Sequence, residues 1–180
     1  MSATNFERSP MPTIRRLSSL DEAQIAGLAN LLIDCVEGGA SVGFMLPLTQ
    51  EQALAFWRRI GEGVHEGERT LLIAEDEQGI VGTVHLLLAQ PDNQPHRADL
   101  SKMLVHRRAR RLGLGAALML AAEDLGRACG KTLAVLDTAT GGDAERLYAR
   151  LGWTPVGQIP DYALWPQGGY CSTSLFYKAL

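Results

Sequence analysis

Asp99-Leu100-Ser101-Lys102-Met103-Leu104-Val105 runs straight into His106-Arg107-Arg108-Ala109-Arg110-Arg111 and on to Leu112-Gly113-Leu114-Gly115-Ala116. An apolar-rich run reads as a strand, the arginines as a basic turn, and the glycines as the opening of a helix. The first backbone N–H groups of a helix have no intrahelical partner, and the positive end of the helix dipole points the same way. Glycines there let a phosphate reach the main chain with no Cβ in the way. The stretch therefore predicts an anion cradle, with a diphosphate-bearing ligand as the first expectation.

Working outward, the helix that starts at Gly113 runs to about Cys129 and stops at Gly130, a glycine C-cap. Leu133 to Asp137 follows as a short buried strand. A helix joins it to the strand at Asp99 to Val105, so the two are expected to be parallel with a right-handed crossover. Upstream, Thr70 to Ala74 and Ile80 to Ala89 flank a turn at Glu75 to Gly79 and predict an antiparallel hairpin. Thr13 to Leu17 reads as a first strand. Ser19 with Glu22, and Thr49 with Gln52, have capping-box spacing. The helices they start are lined by Leu28, Leu31, Leu32 and Cys35, and by Leu54, Phe56, Trp57, Ile60 and Val64. Gly38 to Phe44 connects them as a loop with an apolar tip. Downstream, Gly141-Gly142 precedes a helix at Asp143 to Leu151, then strands at Thr154 to Ile159 and Cys171 to Lys178. Their connecting loop carries Pro160, Tyr162, Trp165 and Gly168.

Composition narrows the function classes. The 180 residues, 46% hydrophobic and 21% charged, suit one globular domain, expected over residues 13–180 behind a loose leader at 1–12. A net charge of −3 repels nucleic acid, so the arginine cluster reads as a local site. Apolar runs break within about ten residues, against the roughly 20 that a spanning helix needs, so no membrane partner is expected. Cys35, Cys129 and Cys171 are odd in number and lack C-x-x-C spacing, which points to a reduced, cytoplasmic setting. The histidines at 65, 85, 96 and 106 show no paired ligand spacing, so no metal is expected.

Glycines at a helix start serve several nucleotide folds. A P-loop needs Gly-Lys-Ser or Gly-Lys-Thr, which is absent, and a dinucleotide fingerprint needs Gly or Ala where Leu118 stands. What remains is Arg110-x-x-Gly113-x-Gly115 after an apolar strand, and here the sequence resembles the GNAT acetyltransferase superfamily. Ala144-Glu145-Arg146-Leu147-Tyr148-Ala149-Arg150-Leu151-Gly152-Trp153 is similar to that superfamily's second signature, a helix carrying a tyrosine followed by a glycine-aromatic corner. Arg111 departs from the pattern, since many members place glycine there. A narrower likeness is to the tabtoxin-resistance acetyltransferases, carried by Gly38 to Phe44, Arg97-Ala98-Asp99 with Lys102, Leu136-Asp137-Thr138 and Phe176-Tyr177-Lys178.

The resemblance implies a single-domain α/β (α+β) GNAT fold, a mixed central sheet of about six to seven strands with about four helices, and fourth and fifth strands that are parallel and splayed. It implies acetyl-CoA as cosubstrate, gripped by the main chain of Met103, Leu104 and Val105 and by Arg110, Arg111, Leu112, Gly113, Leu114, Gly115 and Ala116. The activity it implies is acetylation of a small molecule's primary amine, with amino-acid-like β-lactam toxins of the tabtoxin type, and hence toxin or antibiotic resistance, raised by the narrower likeness. Acetyl transfer needs a donor for the thioester oxygen, a proton for the departing thiolate and a base for the amine. A main-chain N–H at the bulge of the fourth strand suits the first.

Helix pattern alone reads Tyr148 as a packing residue; the resemblance makes it the general acid. Asp99, eleven residues before Arg110, and Asp137, at the end of the fifth strand, are candidate bases. Their plainer readings are a surface residue at a strand start and a turn or cap. An ordinary carboxylate near pKa 4 is a weak base toward an ammonium near 10, so proton removal by either calls for ordered water or an altered environment. Ser41, Phe44 and Met45 are expected on the acceptor wall, and Trp153 in the core behind the site. Superfamily members pair through sheet edges or terminal strands, which leaves a homodimer open. Two other readings stand beside this one: a protein or peptide acceptor, and a CoA-binding module that does no transfer.

Overall fold

The apolar run before the arginines is the second part of β4 (Arg97–Val105), the central strand of a seven-stranded sheet. The computed structural model describes residues 11–180, so the leader expected over residues 1–12 falls outside it up to residue 10. Before β4 come β1 (Thr13–Leu17), α1 (Glu22–Glu37), α2 (Gln50–His65), β2 (Arg69–Asp76) and β3 (Gly79–Leu87). After it come α3 (Leu114–Ala128), β5 (Leu133–Ala139), α4 (Asp143–Arg150), β6 (Thr154–Leu164) and β7 (Tyr170–Ala179). The strand order is β1-β2-β3-β4-β5-β7-β6, and only β4 and β5 are parallel. This is the mixed sheet with four helices that the resemblance implied.

Alternation along the strands sends successive side chains to opposite faces. On one face Leu71, Ile73 and Leu104 pack against Leu28, Leu32 and Val36 of α1 and Trp57 and Ile60 of α2. On the other, Leu72, Val84 and Leu86 meet Leu118 and Met119 of α3, and Leu136 and Phe176 meet Tyr148 of α4. The Thr49–Gln52 capping box opens α2 as expected. At α1 the cap is Asp21, bonded reciprocally to Gln24, and not Ser19 with Glu22. In α2, Leu54 and Phe56 are only partly buried, and Ala53 takes a core position instead.

Two irregularities in β4 shape the site. Thr83 pairs with Leu104 but His85 with Ser101, so Val84 faces both Lys102 and Met103. This is a β-bulge, and Lys102 adopts left-handed backbone at φ 50°. Along the other edge, β4 pairs with β5 only at Arg97–Leu133, Ala98–Ala134 and Asp99–Val135, after which the strands part. At the far edge, β6 is longer than expected. Pro160 and Tyr162 lie within it, and a bulge around Asp161 (φ 52°) absorbs the mismatch, as an edge strand allows.

A buried polar knot fixes the corner after α4. Trp153 Nε1 donates to Glu123 at 2.9 Å, and Lys178 Nζ donates to Glu123 and to the Leu151 carbonyl, each at 2.7 Å. The Trp153 N–H returns to the Tyr148 carbonyl at 3.0 Å. Helix α3, strand β7 and the glycine-aromatic corner are thereby tied together behind Tyr148.

Candidate active site

Past β4, the Arg107–Ala109 turn leads into α3 with no side chain capping it. Gly113 is the N-cap at φ 85°, and the Ala117 N–H is the first to reach a carbonyl, that of Gly113 at 3.1 Å. The N–H groups of Leu112 to Ala116 have no main-chain acceptor among the described residues. Gly115 sits at a close approach, since a Cβ there would lie 3.2 Å from a Leu147 methyl of α4 and would press on it. Arg111 holds φ 62°, which explains in backbone terms why glycine suits that position.

The four arginines divide. Arg107 donates to Asp34 through its main-chain N–H (2.9 Å) and Nε (2.8 Å), and Arg108 pairs with Asp76. Burial works against ionisation of Asp34, but the Arg107 hydrogen bonds outweigh it and hold the carboxyl below its ordinary range. The Arg108 guanidinium does the same for Asp76. Arg110 donates to the Val105 carbonyl at 3.1 Å, and Arg111 is exposed. Neither pairs with a carboxylate among the described residues, which leaves both cations for an anion at the helix start. Burial pushes the thiol of Cys35, beside Arg110, up to about 11. It therefore stays protonated and donates to the Val105 carbonyl at 3.6 Å. Free N–H groups, unpaired arginines and an uncapped helix fit the diphosphate of a coenzyme.

Tyr148 and Asp137 stand on opposite faces of the sheet, Asp137 two residues beyond the last β4–β5 pair. Tyr148 stands on the α3/α4 side, buried against Trp153 and Phe176 with ring centroids 6.1 and 6.0 Å away. Burial, then the charge of nearby Asp137, holds its phenol well above the ordinary value, so it remains protonated. Asp137 is exposed on the opposite face and accepts from Thr173 Oγ1 at 3.1 Å. It lines a cleft of about 450 Å³ on the α2 side, with Phe56 and Ile60 of α2 as its roof. Asp99 lines the same cleft one residue pair back from Asp137. Its carboxylate is occupied by Arg97 and by Gln90 Nε2 at 3.1 Å.

None of Ser41, Phe44 and Met45 lines this cleft. Ser41 donates to the Leu164 carbonyl at 3.3 Å, and Phe44 packs edge-on against Phe56 at 5.1 Å, supporting the roof from behind. Phe44 and Met45 face a separate outer hollow with Arg58 and Arg59. The cleft instead contains Arg69 and His85, which the sequence did not place in a site, and Lys102, which entered only as part of the narrower likeness and with no role. Strand register puts Arg69 opposite Leu87, Leu87 opposite Asp99, and His85 between Leu71 and Ser101, all on the α1/α2 face. Such a cluster from β2, β3 and β4 is visible only once the register is known. Among the described residues no cluster of metal-binding side chains is present, and no helix is long and apolar enough to cross a membrane.

Comparison with known proteins identifies the family and the fold. The acetyltransferase (GNAT) family pattern matches residues 25–153. An uncharacterised N-acetyltransferase of Azospirillum brasilense is 26% identical over 167 residues, 91% of this chain and 98% of that protein. The Salmonella typhimurium yncA structure, solved with its cofactor acetyl-CoA, superposes with a TM-score of 0.76 at 23% identity over 96% of this chain and 95% of its own. A ribosomal-protein-alanine N-acetyltransferase from Brucella melitensis gives 0.75 at 22% identity, covering 93% and 99%. With the family pattern spanning both the cradle and the tyrosine helix, this chain belongs to the acetyltransferase (GNAT) family of acetyl-CoA-dependent enzymes.

Proposed function

We propose that the protein moves the acetyl group of acetyl-CoA to the primary amine of a small molecule, with Tyr148 as general acid and Asp137, assisted by Asp99, on the base side. One observation supports this reading above the others: Tyr148 lies near enough to Asp137 to feel its charge although the two stand on opposite faces of the sheet, and β4 pairs with β5 only as far as Asp99–Val135. The residues that would hold the coenzyme are Met103, Leu104 and Val105 at the gap and Arg110 to Ala116 at the turn. When bound, it supplies an acetyl group activated as a thioester.

The remaining work falls to the chain. The bulge at Lys102-Met103 turns main-chain groups of β4 away from the ladder, freeing an N–H to face a carbonyl on which charge develops. The amine nitrogen forms its bond to the acyl carbon as the carbon–sulfur bond breaks. One proton leaves the nitrogen and one reaches the sulfur, so the balance is internal. Tyr148 gives its proton to the sulfur and is restored from the Asp137 side. Asp137, exposed and held by a single hydroxyl, is freer to take the proton leaving the amine nitrogen than Asp99, whose oxygens already serve Arg97 and Gln90. Asp99 then acts as an electrostatic neighbour or through a water relay.

A cleft roofed by α2 favours a compact acceptor over an extended chain. The likeness to tabtoxin-resistance enzymes adds β-lactam amino acids to the candidates, and with them a role in toxin or antibiotic resistance. Free thiols at Cys35, Cys129 and Cys171 suit a cytoplasmic setting. The test is thiol release from acetyl-CoA with a panel of amines, amino acids, β-lactam amino acids and an alanine-initiated peptide, with products read by mass spectrometry. Acetylated small amines are expected. Coenzyme binding with no acetylated product would leave a binding module, and acetylation of the peptide alone would move the acceptor class.

A further inference from the structure

The inner end of the acceptor cleft is unusual for a buried surface. His85 is 5% exposed, and its Nδ1 has no hydrogen-bond partner. The Arg69 Nε is likewise buried and unpartnered. Lys102 stretches over the Phe56 ring, its ammonium 5.7 Å from the ring centre, and pairs with no carboxylate among the described residues. A buried donor without a partner costs free energy, and native proteins seldom leave several together unless something else satisfies them. Helix α2 is shaped around this arrangement. A Cβ on Gly63, in the last turn of α2, would lie 2.6 Å from the Arg69 Nε, so the glycine leaves room for the guanidinium.

The charges are also arranged directionally. Arg69 and His85 are diagonal neighbours on β2 and β3, about 6 to 8 Å apart at the main chain, with Lys102 reaching in from the β4 bulge. Asp137 lies on β5, three strand spacings or about 14 Å across the cleft from β2. The β2 side of the cleft is therefore cationic through Arg69, and the carboxylates lie on the β4–β5 side: Asp99, already paired with Arg97, and Asp137, whose charge Lys102 also feels. We infer that Arg69, His85 and Lys102 form an anion subsite that receives a carboxylate borne by the acceptor amine, so that the acceptor is an amino acid or an amino-acid-like molecule with its amine directed toward Asp137. This inference rests on the transferase reading above. His85 is neutral there, able to donate one hydrogen bond beside two cations, and the guanidinium offers a planar fork that matches a carboxylate.

The test pairs methionine, leucine and phenylalanine with the amines left when each loses its carboxylate, comparing kcat/KM for thiol release. Wild-type protein should favour the carboxylated member by about tenfold or more, because charge-assisted bonds to a carboxylate are worth about 10- to 100-fold each. In Arg69→Met and in Lys102→Met that preference should collapse toward one, chiefly through KM, while Arg69→Lys keeps part of it. Calorimetry adds an arm independent of turnover: N-acetylmethionine should bind more tightly than the acetylated amine lacking the carboxylate, and Arg69→Met should erase the difference. Retained coenzyme binding shows that a variant is folded. Equal use of both members by wild type, or a preference unchanged in both Met variants, overturns the subsite and leaves the transferase standing. Absence of acetylated product with every amine overturns the transferase reading, and calorimetry then decides the subsite alone.

Discussion

At the scale of single residues, Tyr148 carries the sharpest expectation. Its phenol is buried and makes no hydrogen bond among the described residues, so replacement by phenylalanine removes a proton donor and little else. Tyr148→Phe should lower kcat about 10²-fold, with coenzyme affinity by calorimetry unchanged and the unfolding midpoint shifted by less than about 1 kcal/mol. His85 makes a different prediction. Burial, followed by the fields of Arg69 and Lys102, pushes its imidazole down to about 3. The unfolded chain takes up a proton near pH 6.5 that the folded chain refuses, so stability is intact above that value and falls as the pH drops toward 3. His85→Gln should remove this loss, amounting to roughly 2 kcal/mol between about pH 7 and pH 4.5, read by urea unfolding. Tyr148 was readable in the sequence because it sits in a contiguous signature. The grouping of Arg69, His85 and Lys102 was not, although Lys102 took part in the narrower likeness, because the three are far apart along the chain and only the register of β2, β3 and β4 gathers them.

At the scale of elements, the turn into α3 shows how much a short stretch can specify. Glycines at 113 and 115 were legible as a cradle, and each has a separate reason: Gly113 for its left-handed backbone, Gly115 for Leu147. Arg111 holds the same hand of backbone without glycine's freedom, at a cost of about 1 kcal/mol. Arg111→Gly should leave stability equal or higher by up to about 1 kcal/mol in thermal unfolding, yet weaken coenzyme binding several-fold and flatten its salt dependence. The two responses have opposite signs, which separates backbone strain from charge. Element ends were harder to read. Ser18, Ser19 and Asp21 crowd the start of α1, and all can cap a helix, so spacing did not choose among them. In β6, Pro160 resembles a loop residue because a central strand excludes it; an unpaired edge with a bulge does not.

At the scale of the whole molecule, the Glu123–Lys178–Trp153 knot joins elements from both halves of the sheet. Glu123→Gln leaves the Lys178 ammonium without its counter-charge and should cost about 3 kcal/mol in chemical unfolding. The double variant Glu123→Gln with Lys178→Met should recover much of that, and the double-mutant cycle isolates the pair. The β4–β5 junction has a broader consequence. Three residue pairs, with the His96 carbonyl accepting from Thr132 and Leu133 just before them, stitch β1 to β4 onto β5 to β7 there, so the sheet has the form of two leaves sharing a short spine. Whatever wedges into the opening and bonds to both leaves becomes part of the architecture. Acetyl-CoA should therefore raise the melting temperature progressively with its concentration, by about 2.7 kcal/mol of added stability at a hundredfold excess over Kd. Bound in that seam, the reactant would serve as the missing rung.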